Sequence, residues 1–123
     1  MTNEVGSVFV VDDDPSVRTA VARLLKTAGF QVEAFASGEA FLEQVEPSRG
    51  GCLVLDVKMP NQSGFDLFER VAVERSAISV IFVTGHADFA AVTRRVGSAA
   101  NYHVLTKPFE AEALISAVRL AMR

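Results

Sequence analysis

Five short runs of apolar, mostly β-branched residues recur along the chain, and stretches with the apolar spacing of helices lie between them. The runs are Val8–Val11, Val32–Phe35, Cys52–Leu55, Val80–Val83 and Tyr102–Leu105. Continuous apolar runs of this kind are typical of parallel strands that helices cover on both faces of a sheet. Five strands alternating with five helices therefore predict a doubly wound α/β fold built on a parallel sheet.

Local signals mark where the helices begin and end. Asp14 and Pro15 are typical of the first positions of a helix, and Gly29 is typical of the residue that follows one. Ser37 is predicted to cap the second helix, and Ser63 precedes the third. The last two helices are predicted over 87–96 and 110–122.

Length and composition restrict the class of protein. The 123 residues, 50% of them apolar, suit one compact core, so residues 1–123 are predicted to form a single domain. A net charge of −3 gives no electrostatic reason to expect nucleic-acid binding. No apolar stretch approaches the roughly 20 residues that cross a bilayer, so no membrane partner is expected. The single cysteine, Cys52, heads an apolar run, which predicts a buried, inert thiol in a cytoplasmic protein.

Polar side chains end or follow four of the five predicted strands. Asp12 and Asp13 follow the first strand, Asp56 ends the third, Thr84 ends the fourth and Lys107 follows the fifth. The carboxyl ends of parallel strands meet at one edge of the sheet, where sites of this fold class lie. The sequence therefore predicts a site in which carboxylates, a hydroxyl and an ammonium converge.

These carboxylates need a counter-charge. Two unit charges ~5 Å apart repel by about 3 kcal/mol at an effective dielectric of ~20. Mg²⁺ offsets this repulsion, accepts carboxylate and water ligands, and leaves positions for phosphate oxygens. Asp56 could then attack phosphorus as a nucleophile, while Lys107 and Thr84 contact the phosphoryl oxygens. The predicted chemistry is phosphoryl transfer.

Five motifs occur in order along the chain and carry a family resemblance. They are Val11-Asp12-Asp13-Asp14, Leu55-Asp56-Val57-Lys58-Met59-Pro60, Ser63-Gly64, Thr84-Gly85-His86 and Lys107-Pro108-Phe109. Together they resemble the CheY-like receiver domain of two-component response regulators, over essentially the whole chain. The sequences of residues 51–56 and 84–88 are most similar to those of receivers that precede the helix-turn-helix part of transcription factors of the nitrogen-fixation-regulator type.

The resemblance implies a (βα)5 flavodoxin-like sandwich of three layers and a magnesium-dependent acceptor site. Asp56 would be the phospho-acceptor for a sensor histidine kinase. Asp13 would bind Mg²⁺ directly and Asp12 largely through water. The backbone carbonyl of Lys58 would be a further metal ligand, beside the carboxylate of Asp56.

The resemblance also implies how the switch operates. Thr84 would move towards the phosphoryl group, and Lys107, before a cis proline bond, would pair with it. The face formed by the fourth predicted helix, the fifth strand and the fifth predicted helix would then change, controlling a transcriptional output, another partner or a homodimer. That face would carry Phe89, Val92, Arg94, Val118 and Arg119. Such a chain is a signalling switch and not an enzyme, because it catalyses only its own phosphorylation and dephosphorylation.

One segment departs from the family pattern. The interval from Thr84 to Lys107 is one residue longer than usual, and Val104 occupies the position of the usual switch aromatic. Tyr102 lies two residues earlier, on the same face of a regular strand. Two hypotheses stay open, that Tyr102 replaces the aromatic and that the coupling to Thr84 is lost.

Three other functions compete with this interpretation. A pseudo-receiver would use the fold as a phosphorylation-independent interaction module, but such a module does not need both Asp13 and Lys107. A phosphatase of the haloacid-dehalogenase type would have a second Asp two residues after Asp56, where Lys58 stands. A nucleotide-binding module would have a glycine-rich loop after the first strand, and none is present.

Overall fold

The computed structural model describes residues 7–56, 64–75, 77–85, 90, 92, 94 and 102–122, which form one parallel sheet flanked by helices. The strands are β1 (Ser7–Val11), β2 (Gln31–Phe35), β3 (Gly51–Asp56), β4 (Ile78–Thr84) and β5 (Tyr102–Thr106). All neighbours pair in parallel, in the order β2-β1-β3-β4-β5. This order confirms the predicted doubly wound, flavodoxin-like α/β fold.

Four helices have described bounds. They are α1 (Pro15–Thr27), α2 (Gly38–Gln44), α3 (Gly64–Glu74) and α4 (Ala111–Ala121), the last being the fifth of the predicted helices. In the predicted helix over 87–96, Ala90, Val92 and Arg94 are helical, and its other residues lie outside the described part of the chain. No helix within the described ranges is long and apolar enough to cross a membrane.

The predicted helix caps form as expected. The Asp14 carboxylate accepts hydrogen bonds from the backbone N–H groups of Ser16 at 2.9 Å and Val17 at 3.4 Å, at the start of α1. Ser37 Oγ accepts one from Ala40 N at 3.1 Å at the start of α2. Gly29 has φ +105°, the left-handed conformation that favours glycine after a helix. Ser63, predicted to precede α3, lies outside the described residues.

Alternate residues of the inner strands face two separate cores. On one face, Phe9, Leu53 and Phe82 pack with buried side chains of α2 and α3. On the other face, strand residues that include Cys52 pack with buried side chains of α1 and α4. Cys52 is buried as predicted, and this burial raises the pKa of its thiol to about 12.

The outer strands are less buried than predicted. β1, β3 and β4 are covered on both faces, but Gln31, Glu33 and Ala34 of β2 are exposed, as is His103 of β5. The expectation that every strand is buried on both faces was therefore wrong for the edges. A strand at the edge of a sheet has one neighbouring strand, so the flanking helices cover it incompletely.

A buried arginine ties α3 to the end of α2. Arg75 is 4% exposed and donates to the carbonyl oxygens of Val45 at 2.7 Å and Leu42 at 2.9 Å. Its guanidinium carbon lies 5.2 Å from the centroid of the Phe41 ring. Because the last carbonyls of a helix carry partial negative charge, they compensate the buried cation.

Candidate functional site

The candidate site lies where the strand order reverses. β2 lies on one side of β1, whereas β3, β4 and β5 lie on the other. Asp12 follows β1, and Asp56 is the last residue of the adjacent β3. Ligands of open α/β sheets bind in the crevice at such a reversal, beyond the carboxyl ends of the strands. The two carboxylates therefore stand at the position where this fold class binds ligands.

Asp56 and Lys107 form an ion pair in this crevice. Lys107 Nζ lies 3.3 Å from Asp56 Oδ2, with the two side chains 40% and 15% exposed. The Lys107–Pro108 peptide bond is cis, as the family resemblance implies. The fold thus brings together the predicted acceptor and the predicted cation.

Asp12 is a buried carboxylate with a raised pKa. The residue is 7% exposed, and its Oδ1 accepts a 2.9 Å hydrogen bond from the backbone N–H of Asp14. Burial is the largest cause of the raised pKa, and the hydrogen bond from Asp14 opposes it. The negative charges of Asp56 and Asp13 raise the pKa further, whereas Lys107 lowers it. The carboxylates are therefore close enough to repel one another, with Lys107 offsetting part of the repulsion.

The donor set suits a magnesium ion that keeps several waters. Among the residues that the structure describes, no group of three or more His, Cys, Asp or Glu side chains lies close enough to hold a metal ion. Mg²⁺ does not need such a cage, since it is usually held by about one or two carboxylates together with waters and phosphate oxygens. Asp13 is exposed, and Lys58 lies outside the described residues. The observation that fits a hard cation such as Mg²⁺ is the repulsion that Asp12 receives from Asp56 and Asp13, because a bound cation would offset it.

Thr84 ends β4 and is linked to Lys107 through the main chain. The backbone N–H of Lys107 donates a 2.7 Å hydrogen bond to the carbonyl oxygen of Thr84. Thr84 is 1% exposed, and its hydroxyl oxygen has no hydrogen-bond partner in the described part of the chain. A buried hydroxyl without a hydrogen-bond partner costs roughly 1–3 kcal/mol of stability, so a hydrogen bond to this oxygen would be stabilising.

An apolar cleft of about 360 Å³ adjoins the charged groups. Asp12, Asp56 and Lys107 line it together with apolar side chains, among them Val21 of α1 and Phe109. Low-dielectric walls strengthen the electrostatic interactions of charges beside them. The charged groups therefore interact more strongly here than they would on an open surface.

Arg18 is a site residue that sequence reasoning missed. Its Nη1 donates a 2.7 Å hydrogen bond to the backbone carbonyl of Asp12. The spacing offered a signal, because Arg18 follows the cap Asp14 by four residues and therefore lies one turn above it in α1. Exposed arginines on helices are common, so the spacing alone does not distinguish Arg18 from Arg23 on the same helix.

Tyr102 packs into the core of the sheet. Its ring centroid lies 6.2 Å from that of Phe68 and 6.4 Å from that of Phe82, both edge to face. Val104 pairs with Phe82, and Tyr102 pairs with Val80, two positions further from the site. Both side chains pack against the same core cluster, so the predicted shared face is confirmed.

Comparisons with known proteins agree with this geometry. The family model of the response regulator receiver domain matches residues 8–119. Response regulator protein TmoT of Ectopseudomonas mendocina is 36% identical over 123 residues, which cover 100% of this chain and 56% of TmoT. Transcriptional regulatory protein FixJ of Azorhizobium caulinodans is 38% identical over 117 residues, which cover 94% of this chain and 54% of FixJ. This chain thus spans about half the length of both relatives.

A solved structure shows the same fold. The response regulator StyR superposes with a TM-score of 0.83 at 42% identity, over 94% of this chain and 58% of that one. The general role of the matched family is to be phosphorylated by a histidine kinase, and its members generally use Mg²⁺. The likeness to FixJ confirms the resemblance to nitrogen-fixation regulators. With the family match over residues 8–119, these findings establish that the chain belongs to the response regulator receiver domain family of two-component signalling proteins.

Proposed function

We propose that this chain accepts a phosphoryl group on the carboxylate of Asp56. The observation that carries the proposal is the 3.3 Å pair of Asp56 and Lys107 in the crevice at the strand-order reversal. β3 is the central strand of the sheet, so the acceptor stands on a well-buried element. A fixed carboxylate beside a cation is the arrangement that nucleophilic attack on phosphorus needs.

In the transfer, a carboxylate oxygen of Asp56 bonds to phosphorus, and the P–N bond to the donor histidine breaks. The leaving imidazole keeps the bonding electrons. Asp56 attacks as a carboxylate, so it has no proton to lose. Lys107, already beside Asp56, balances the negative charge that the phosphoryl group brings. The chain catalyses only its own phosphorylation and dephosphorylation in this scheme.

Asp12, Asp13 and Asp56 are proposed as the side chains that hold Mg²⁺, with the carbonyl of Lys58 as a further ligand. When bound, the ion neutralises charge on the transferring oxygens. Burial, and after it the negative charges of Asp56 and Asp13, raise the pKa of Asp12, which supports this assignment because a divalent cation relieves the repulsion. The Asp14 N–H meanwhile holds Oδ1 of Asp12 in one orientation.

Thr84 is proposed as the switch hydroxyl, because its buried oxygen lacks a partner in the described structure and would gain one from a phosphoryl oxygen. Its main-chain bond to Lys107 couples any movement of Thr84 to the cation. We keep the hypothesis that Tyr102, whose ring contacts Phe68 of α3 and Phe82 of β4, reports this movement.

The face that includes β5 and α4 is the proposed surface for an effector or a homodimer. Two residues expected on it are buried instead, since Val92 and Val118 are both 0% exposed in the two cores. The exposed side chains there include Arg94, Arg119 and Leu120. Helical periodicity explains the difference, because residues one or two positions apart on a helix point in different directions, so a buried valine has an exposed arginine close to it in sequence.

The wider role follows from the relatives. FixJ carries the name of a transcriptional regulatory protein, and we propose that residues 1–123 are one receiver domain controlling such an output. A sensor histidine kinase is the proposed phosphodonor, in the cytoplasm. Direct nucleic-acid binding by this segment is not part of the proposal.

Intact-protein mass spectrometry tests the acceptor. The chain is incubated with a small acyl phosphate and Mg²⁺, and wild type is compared with Asp56→Asn and with Asp66→Asn, an exposed aspartate of α3. We expect one added phosphoryl group in wild type and Asp66→Asn, none in Asp56→Asn, and none after chelation of the metal. A folded wild type that gains no phosphoryl group would favour the pseudo-receiver, and a gain in Asp56→Asn would exclude Asp56 as the acceptor.

A further inference from the structure

Arg18 makes a direct contact with the main chain of the acidic turn, residues 12–14. Its Nη1 lies 2.7 Å from the carbonyl oxygen of Asp12, in a partly buried setting. This distance is short for an N–H···O bond, as expected when the donor is charged. The contact joins the first turns of α1 to the carboxyl end of β1.

Other hydrogen bonds hold the same turn. The Asp12 N–H donates to the Phe35 carbonyl of β2 at 3.2 Å, and the Asp14 N–H donates to Asp12 Oδ1 at 2.9 Å. The Arg18 N–H donates to the Asp14 carbonyl at 2.9 Å. Arg18 therefore donates two hydrogen bonds to the acidic turn, one from its main chain to Asp14 and one from its side chain to Asp12.

The carbonyl of Asp12 belongs to the peptide group that leads into Asp13. A hydrogen bond to this carbonyl fixes the plane of that peptide. The plane contains the Cα atom of Asp13, so it fixes the point from which the Asp13 side chain extends. Asp13 is exposed, and two χ angles remain free to vary in an exposed aspartate. Holding its main chain is thus the available way to keep its carboxylate near the crevice.

We propose that Arg18 is a positioning residue of the acidic pocket, and that it orients the Asp12–Asp13 peptide for binding of a divalent cation. The proposal rests on the proposed function, because it assumes that these carboxylates bind Mg²⁺. Residues that orient metal ligands from outside the coordination sphere typically change metal affinity by roughly 10- to 100-fold when mutated.

The positioning role and the charge of Arg18 act on metal affinity in opposite directions. A guanidinium near the pocket repels a divalent cation, so loss of the charge alone strengthens Mg²⁺ binding. Loss of the hydrogen bond to Asp12 weakens it. The sign of the change therefore tells whether Arg18 positions the pocket or is only a nearby cation.

The test is a Mg²⁺ titration of the whole chain, followed by ¹H–¹⁵N NMR shifts of the amides of Asp13 and Asp56. The variants are Arg18→Met, Arg18→Lys, and Arg23→Met as the matched control, since Arg23 is an exposed arginine of the same helix. We expect Mg²⁺ affinity to fall about tenfold in Arg18→Met. Arg18→Lys, which keeps a charged donor, should recover part of it, and Arg23→Met should stay within about twofold of wild type.

Equal or tighter Mg²⁺ binding by Arg18→Met would overturn the inference while leaving the proposed function intact. A wild-type chain that does not bind Mg²⁺ would instead overturn the proposed function and the inference with it. If urea unfolding shows that Arg18→Met is not folded, Arg18→Gln, which also removes the charge, takes its place, and its Mg²⁺ affinity is compared with that of wild type.

Discussion

Lys107 Nζ lies 3.3 Å from Asp56 Oδ2, although the residues are 51 positions apart and stand at the carboxyl ends of strands that are not neighbours. Lys107 follows the edge strand β5, and β4 separates that strand from β3. Both residues line the apolar cleft beside the site. The contribution of each of the two charges can be measured by substituting one residue at a time.

Lys107→Met should strengthen Mg²⁺ binding while weakening the response to phosphorylation. Lys107 competes with the metal for Asp56, so its removal should raise Mg²⁺ affinity about fivefold, or ~1 kcal/mol. The free energy of unfolding should change by less than about 1 kcal/mol, because the lysine is 40% exposed. An NMR titration measures the affinity, with the exposed Lys26→Met as control. Unchanged or weaker binding in Lys107→Met would contradict this competition.

Asp12→Asn should stabilise the metal-free protein at neutral pH. Folding raises the pKa of the Asp12 carboxyl, so its ionised form destabilises the native state. This cost is lost as the pH falls through the pKa of the folded state towards the lower pKa of the unfolded state. The gain should be about 1 kcal/mol, because burial and then the charges of Asp56 and Asp13 disfavour the ionised carboxylate, while the Asp14 hydrogen bond and Lys107 offset part of this. Urea unfolding with chelator at pH 7.5 and pH 4.5 checks it, with the exposed Glu43→Gln as control. The advantage should be smaller at pH 4.5, and an advantage that grows on acidification would contradict the sign.

Arg75→Met should destabilise the fold by about 3 kcal/mol, because two carbonyls at the end of α2 lose a buried donor. Arg70→Met is the matched control, since Arg70 lies on α3, the helix that ends directly before Arg75. Its ion pair with Glu74 is exposed and 3.5 Å long, so it should cost less than about 0.5 kcal/mol. Equal effects of the two variants in urea unfolding would show that the contacts of Arg75 contribute little.

Gly51→Ala should destabilise the protein more than Gly29→Ala. Both glycines have positive φ, +148° and +105°, but only at Gly51 would a Cβ collide with the carbonyl oxygen of Ser7. Conformational strain at Gly29 should cost about 1 kcal/mol, whereas strain and overlap at Gly51 should cost about 3 kcal/mol or more. Thermal unfolding compares them, and similar losses would mean that β1 moves aside.

The ring of Tyr102 should respond to phosphorylation if it reports the switch. Tyr102 is the only tyrosine in the chain, so 3-fluorotyrosine gives a single ¹⁹F signal. Contacts with Phe68 and Phe82 make that signal sensitive to movement of α3 or β4. We expect its shift to change on phosphorylation of wild type and to stay fixed in Asp56→Asn. A signal unmoved in phosphorylated wild type would mean that the coupling is lost.

Strand positions and the placement of the site residues could be predicted from the sequence because both depend on local patterns. Apolar runs identify β1, β3 and β4, and polar residues at their ends identify Asp12, Asp56 and Thr84. Parallel strands then bring these residues to one edge whatever the details of the loops. The Asp14 and Ser37 caps were predictable for the same reason, since a cap bonds within its own turn.

The contacts of Arg18 and Arg75 could not be predicted because they depend on how separate segments meet. Arg75 reaches carbonyls 30 and 33 residues earlier, and its burial contradicts the usual exposure of arginine. The exposure of β2 likewise follows from its place at the edge, which a five-residue run does not encode. Val92 illustrates a third limit, since its helix could be predicted but not the side that faces the core.

The burial of Cys52 makes the chain a convenient scaffold for spectroscopy. As the only cysteine, fully enclosed and with a thiol pKa of about 12, it should react very slowly with maleimides while the protein is folded. A cysteine introduced at an exposed position such as His103 could then be labelled selectively without first replacing the native thiol. Dyes or spin labels could thus be attached one at a time at exposed positions, leaving the core that supports Asp56 untouched.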